Sequence, residues 1–119
     1  MIEGSCHCGD VSFQLAGDPE QLVDCNCSVC RRLAPLWARA DSSRITIRAE
    51  PDATMTYVHG DRTLALHRCR RCGCTTHWLS LRDTEPRLMA VNCRMCDPES
   101  IAHLPIRRLD GADTWRLLD

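Results

Sequence analysis

Apolar and polar residues alternate along six short pieces of the chain: VSFQL (11–15), RITIRA (44–49), TMTYV (54–58), TLALH (63–67), THWLSL (76–81) and RLMAVN (87–92). A period of two sends successive side chains to opposite faces of an extended backbone, so each piece predicts a half-buried strand. The intervening segments AGDP, DSS, EPD, HGDR, RDTEP and LDGAD concentrate turn formers, at a spacing that suits antiparallel meanders rather than helical crossovers. One stretch reads as helix. In DPESIAHL (97–104), Asp97 is placed to cap, Pro98 suits the first helical position and Glu99 meets the positive end of the dipole. The expected architecture is mainly β, built from short antiparallel strands with little helix.

Length and composition narrow this picture. With 119 residues and no linker-like or charge-block division, residues 1–119 are expected to form a single domain. No apolar run approaches the ~18 residues that mark a membrane span. The opening MIEGSCHCGD lacks the basic and apolar regions of a secretory signal, so a soluble, cytoplasmic protein is expected. Net charge is -1, from 15 basic residues, all arginine, against 16 acidic ones, a balance that does not point to nucleic acid as a partner. Aromatic residues are only 4% of the chain, so ring side chains contribute little core area and another source of cohesion is needed.

The ten cysteines are that source, and they fall in four tight groups: Cys6 and Cys8; Cys25, Cys27 and Cys30; Cys69, Cys72 and Cys74; Cys93 and Cys96. Neighbours one or two residues apart readily aim their sulfurs at one ion, whereas a disulfide framework calls for scattered positions. CHC (6–8) and CRRC (69–72) together could supply four thiolates, enough to close a tetrahedral zinc site. The group at 25–30 supplies three. Either its fourth position is left for an exchangeable ligand, as in catalytic zinc sites, or Cys74, Cys93 or Cys96 completes it; spacing does not choose between the two.

Three blocks, GSCHCGDVSF, CNCSVCRR and HRCRRCG, resemble in order and spacing the signatures of the family containing glutathione-dependent formaldehyde-activating enzyme and centromere protein V. The resemblance implies a β-tent fold carrying two zinc ions. It implies that Cys6, Cys8, Cys69 and Cys72 hold a structural zinc, while Cys25, Cys27 and Cys30 hold a catalytic one whose fourth ligand is the thiol of glutathione. The implied activity is that of a carbon-sulfur lyase on a thiol-aldehyde adduct, S-hydroxymethylglutathione formed from glutathione and formaldehyde. Such chemistry is sound, because zinc stabilises a thiolate at neutral pH and so presents a nucleophile to an aldehyde carbon. An alternative implied by the same relationship is a noncatalytic zinc module binding a protein or nucleic-acid partner, with Arg68, Arg70 and Arg71 on its contact surface.

Other residues carry weaker signals. Arg31 and Arg32 follow the cysteine trio and could receive carboxylates of an acidic thiol or simply form a solvated face. Cys93 and Cys96, in NCRMCDP, could form a third site, a redox pair or part of the core, where cysteine behaves as a small hydrophobe. Cys74 is expected to pack beside a site already full. His7, His67 and His77 flank the cysteines and are expected to cover them, while His59 and His103 have no motif around them. Trp37 and Trp78 are expected in strands, as core or pocket wall, and Trp115 as an anchor for the carboxyl-terminal segment. No phosphate loop, Ser-His-Asp signature or dinucleotide fingerprint is present.

Overall fold

A computed structural model describes residues 1–119. The strands in chain order are β1 (Ile2–Ser5), β2 (Ser12–Leu15), β3 (Leu22–Cys25), β4 (Trp37–Asp41), β5 (Ile45–Arg48), β6 (Thr54–Tyr57), β7 (Leu64–Cys69), β8 (Thr75–Ser80), β9 (Leu88–Asn92) and β10 (Ile106–Leu109). Two single-turn helices, α1 (Cys30–Leu33) and α2 (Pro98–Ile101), complete the set together with a 3-10 turn at Cys93–Met95. All six alternating pieces are strands. The capping of α2 also follows the sequence, with the Asp97 carboxylate accepting from the Glu99 amide at 3.0 Å, although the helix stops after one turn.

The strands form a three-stranded sheet in the order β1-β2-β5 and a seven-stranded sheet in the order β10-β3-β4-β9-β8-β7-β6. One pairing departs from the antiparallel pattern: β10 runs parallel to β3, from Ile106 opposite Leu22 to Leu109 opposite Cys25. A parallel neighbour needs a long crossover, and here everything from β4 to α2 provides it. The segment after β10 is thereby delivered to the end of β3, where the cysteine trio begins.

The main core lies between the sheets, where Ile2, Phe13, Leu15, Leu22, Ala38 and Val91 are buried together. Phe13 lies across β1 in the space that Gly4 leaves open; a Cβ on Gly4 would stand 2.4 Å from the ring, so only glycine fits. Removing this ring would cost about 3–5 kcal/mol. Cys93 and Cys96 belong to the same core, at 0% and 6% exposure. They behave as the small apolar residues expected among the alternatives. Asn92 fixes their turn, its side-chain oxygen accepting from the amides of Leu36 (3.1 Å) and Arg94 (3.0 Å) and its nitrogen donating to Thr75 O (2.8 Å). Cys96 pairs with Gly4, which ties β1 to this turn. No helix is long and apolar enough to cross a membrane.

Candidate metal centres

Cys6 and Cys8 occupy the turn leaving β1, Cys69 ends β7 and Cys72 lies in the turn before β8. Although more than sixty residues separate the two pairs, the four sulfurs lie within 4.8 Å of one another. Cys8 Sγ is 3.7 Å from Cys6 Sγ and 3.6 Å from Cys69 Sγ. Four sulfurs held about 2.3 Å from a central ion form a tetrahedron with edges of about 3.8 Å, so this spacing fits a metal ion. Amides point at the sulfurs, from Val11 N to Cys6 Sγ (3.3 Å) and from Cys72 N to Cys69 Sγ (3.5 Å). The Cys74 amide, followed by burial acting the other way and by the Cys8 amide, leaves the Cys72 thiol lowered to about 5. At Cys8 the Asp10 amide favours the thiolate, but burial and the neighbouring thiols outweigh it and push the group up to about 12. The cluster joins the β1–β2 hairpin of one sheet to the β7–β8 hairpin of the other.

Cys74 stays outside this set and packs against it. Arg71 faces Asp10 at 4.0 Å and Arg70 donates to the Asp52 carbonyl at 2.9 Å, both in exposed positions. His7 is exposed. His67 and His77 stack on each other across β7 and β8, with ring centroids 4.4 Å apart and planes at 16°. Their Nδ1 atoms engage Thr54 (3.2 Å) and Thr76 (2.8 Å). Burial, with a smaller contribution from His67, lowers His77 to about 4 and keeps it neutral, as a packing residue.

The second cluster is local. Cys25 closes β3, Cys27 lies in the following turn and Cys30 opens α1, with their sulfurs again within 4.8 Å of one another. Cys27 N approaches Cys25 Sγ and Cys30 N approaches Cys27 Sγ, each at 3.5 Å, and the Trp37 indole donates to Cys30 Sγ at 3.4 Å. The Cys30 thiol is the main cause that lowers Cys25 to about 6; in return Cys30 is raised, by Cys25 first and then by burial. No fourth Cys, His, Asp or Glu joins this group. Cys93 and Cys96 lie in the other core and Cys74 by the other cluster, so the structure brings none of them here.

All three cysteines of the trio line a cavity of about 530 Å³. Trp37 and Trp78 meet edge to face at 6.4 Å in its wall, with Leu64, Leu66 and Leu109 beside them. Arg39, His59, Asp61 and Thr63 supply the polar lining apart from the sulfurs. A neighbouring shelf of about 380 Å³ shares Val29, His59 and Leu66 with the cavity and carries Arg32 and Arg68. Of the two arginines expected beside the trio, Arg32 therefore reaches a ligand-sized surface, while its guanidinium also donates to Ser28 O at 2.7 Å.

Several residues of this site were not singled out from the sequence. Asn26 ties the trio to the segment after β10: its amide donates to Leu109 O (3.1 Å), its side chain to Asp110 Oδ1 (3.2 Å), and its oxygen accepts from Ala112 N (2.9 Å). Gly111 presses on the sulfurs, and a Cβ there would lie 2.6 Å from Cys25 Sγ. Trp115 stays 65% exposed and edges the cavity instead of being buried as an anchor. The turn signal LDGAD was visible, but that its glycine meets a cysteine eighty-odd residues earlier follows only from the parallel β10–β3 pairing.

Two sheets stapled by one cluster of four thiols, with a second cluster of three facing a cavity, define a β protein able to hold two metal ions. The chain belongs to the glutathione-dependent formaldehyde-activating enzyme family, whose model matches residues 1–106. It is 31% identical over 77 residues to a Halomonas elongata protein provisionally named as a glutathione-dependent formaldehyde-activating enzyme, a match covering 64% of this chain and 45% of that relative. The chain thus spans about half the length of this curated relative. A crystal structure of a Rhodobacter sphaeroides protein superimposes with a TM-score of 0.69 at 29% identity, covering 88% of this chain and 99% of the other. The fold is the β-tent that the resemblance implied.

Proposed function

We propose that residues 1–119 form one domain that acts, in a reducing cytoplasm, as a zinc-dependent carbon-sulfur lyase on the adduct of a small thiol and an aldehyde. Glutathione and formaldehyde are the pair that the family description supports. The observation that carries the reading is the trio of sulfurs with no fourth ligating side chain, facing a cavity of about 530 Å³. Cys6, Cys8, Cys69 and Cys72 would hold a structural zinc, since four thiolates at tetrahedral spacing suit that ion. Cys25, Cys27 and Cys30 would hold a second, and bound zinc would supply the charge that keeps an incoming thiol ionised at neutral pH.

The chain's own residues do the rest. The Trp37 indole and the Cys27 and Cys30 amides orient the sulfurs and offset part of their charge. Apolar walls of Leu64, Leu66, Trp37 and Trp78 exclude water, which strengthens the electrostatic interactions of a bound thiol. Arg39 in the cavity and Arg32 and Arg68 on the shelf attract an acidic thiol. In the forward direction the thiol sulfur bonds to the aldehyde carbon, the carbonyl electron pair moves to oxygen, and a proton completes the hydroxymethyl group. The reverse reaction breaks the same bond.

A noncatalytic module reading a protein or nucleic acid is favoured by no comparable observation, because Arg70 and Arg71 already face the Asp52 carbonyl and Asp10. Zinc-edge X-ray absorption with metal stoichiometry, with and without glutathione, tests the proposal. Two zinc ions per chain, one gaining a sulfur ligand on addition of glutathione, is the expected result. A second ion already held by four protein sulfurs and indifferent to the thiol would overturn it.

A further inference from the structure

We propose that His59 is the proton donor to the aldehyde oxygen when the thiol adds, and the acceptor of that proton when the adduct is cleaved. The inference rests on the thiol-aldehyde reading above and adds a catalytic residue that neither the cysteine motifs nor the comparisons assign. Addition of a thiolate to a carbonyl leaves the charge on oxygen, and a positioned acid that neutralises it lowers the barrier.

The cavity wall narrows the choice of acid. Arg39 holds its proton permanently and cannot exchange it. Asp61 is occupied within its own loop, its carboxylate accepting from Thr63 N (3.2 Å) and Thr63 Oγ1 (2.9 Å). The cysteines are committed to the proposed ion. His67 and His77 pack against each other and are held by Thr54 and Thr76. His59 is the one imidazole that borders the cavity, and imidazole is the side chain that exchanges protons near neutral pH.

The fold also presents this ring for the task. His59 sits in the loop between β6 and β7 and lines the same cavity as the three cysteines, and its carbonyl accepts from Arg62 N at 3.0 Å. Gly60 and Arg62 both adopt φ 60°, which curls the loop tightly beside the histidine. Tyr57 stacks on the ring at 5.5 Å and 16°, setting its plane. His59 lies on the border between the cavity and the Arg32–Arg68 shelf, so a thiol whose carboxylates rest on the shelf would pass the ring on its way to the sulfurs.

The atoms balance without a further reagent. The thiol gives up its proton to water, its sulfur lone pair forms the carbon-sulfur bond, and the carbonyl π pair moves to oxygen. Oxygen takes the proton of the protonated ring, and the neutral imidazole regains one from water. Cleavage runs the same path backwards.

The test uses the zinc-loaded protein, wild type, His59→Gln and His59→Ala. Turnover is followed by exchange NMR with isotopically labelled formaldehyde and glutathione, alongside zinc content, glutathione affinity by calorimetry and the His59 ring resonance. His59→Gln should keep two zinc ions and bind glutathione within about twofold of wild type, yet lose roughly 100-fold in kcat. Its pH-rate profile should lose one limb that the wild type shows, and added imidazole should partly restore His59→Ala. In the wild type the His59 ring signal should move when S-methylglutathione, which cannot react, is added. Undiminished turnover in His59→Gln overturns this assignment alone, as does a loss that tracks lost zinc, a retained pH limb, or a loss that imidazole does not relieve. A wild type that binds two zinc ions but turns over no adduct removes the proposed function, and this inference with it.

Discussion

Both cysteine clusters begin with the same local device, two thiols one or two residues apart in a tight turn whose amides face the sulfurs, yet they end differently. The cluster at Cys6, Cys8, Cys69 and Cys72 recruits its second pair from the other sheet, and all four sulfurs reach one another. The cluster at Cys25, Cys27 and Cys30 recruits backbone and indole instead: Gly111 crowds Cys25, the Trp37 indole donates to Cys30, and all three cysteines line a cavity. The first arrangement links positions 61 residues apart, Cys8 and Cys69, and an ion there would constrain the unfolded chain by about 4 kcal/mol if it acts as a disulfide of that loop length would. The second spans only six positions and gains little from closure, so its geometry serves a ligand more than the fold.

The comparison predicts unequal consequences of damage. Cys69→Ser should leave a chain that does not fold cooperatively, because structural zinc contributes about 10–16 kcal/mol in small zinc domains and whole proteins are stable by only about 5–15. Cys27→Ser should keep a cooperative melt and one ion per chain; thermal unfolding with metal analysis checks both. If Cys27→Ser unfolds the chain as thoroughly as Cys69→Ser, the division of labour is wrong.

Gly111→Val should empty the trio and spare the four-thiol cluster, since a Cβ would lie 2.6 Å from Cys25 Sγ. The strain should cost about 1–3 kcal/mol in denaturant unfolding, and mass spectrometry under native conditions should find one metal ion per chain where the parent is expected to show two. Retention of both ions by a stable variant would mean that the backbone behind Cys25 gives way.

Acid should separate the clusters as well. A thiol lowered below its ordinary value of 9.0 stabilises the fold fully above that value and loses the contribution as pH falls through the lowered one, about 6 for Cys25 and about 5 for Cys72. Three thiolates hold an ion less firmly than four, so release of the trio's ion to a chromophoric chelator is expected at a higher pH than release from the four-thiol cluster. Simultaneous release, or the reverse order, would place the weaker site elsewhere.

The smallest effect is expected of Trp37→Phe, which keeps a ring in the wall but removes the 3.4 Å donor to Cys30 Sγ. A loss of about 1 kcal/mol of stability and roughly tenfold in affinity of the trio for zinc should follow, readable by competitive chelation, with the other cluster unchanged.

Much of this was legible in the chain, and the reasons differ by region. Alternation in the sequence showed β2 and β5 to β9, although β6 has no fully buried residue and β9 is buried on both faces from Met89 to Asn92. β1 (IEGS) and β3 (LVDC) are four residues long, and their patterns are broken by Gly4 and by two successive buried residues, Leu22 and Val23. β10 (IRRL) buries only Leu109 and draws its partner from across the fold, so neither its existence nor its parallel direction was written locally. The cysteine sets were legible because ligand spacing is a short-range signal within each pair. His59 and Gly111 were not, because their importance lies in what the β6–β7 loop and the segment after β10 are laid against. Cys93 and Cys96 show the converse: a motif-like CxxC whose burial makes it core.

All three tryptophans of the chain, Trp37, Trp78 and Trp115, border the same cavity, and none packs with the four-thiol cluster. The intrinsic fluorescence of the protein is therefore a private channel to one of its two centres. Emission should change colour and intensity as a ligand fills the cavity beside the exposed indole of Trp115, while an event confined to the sheet-joining centre passes unseen until the strands themselves come apart.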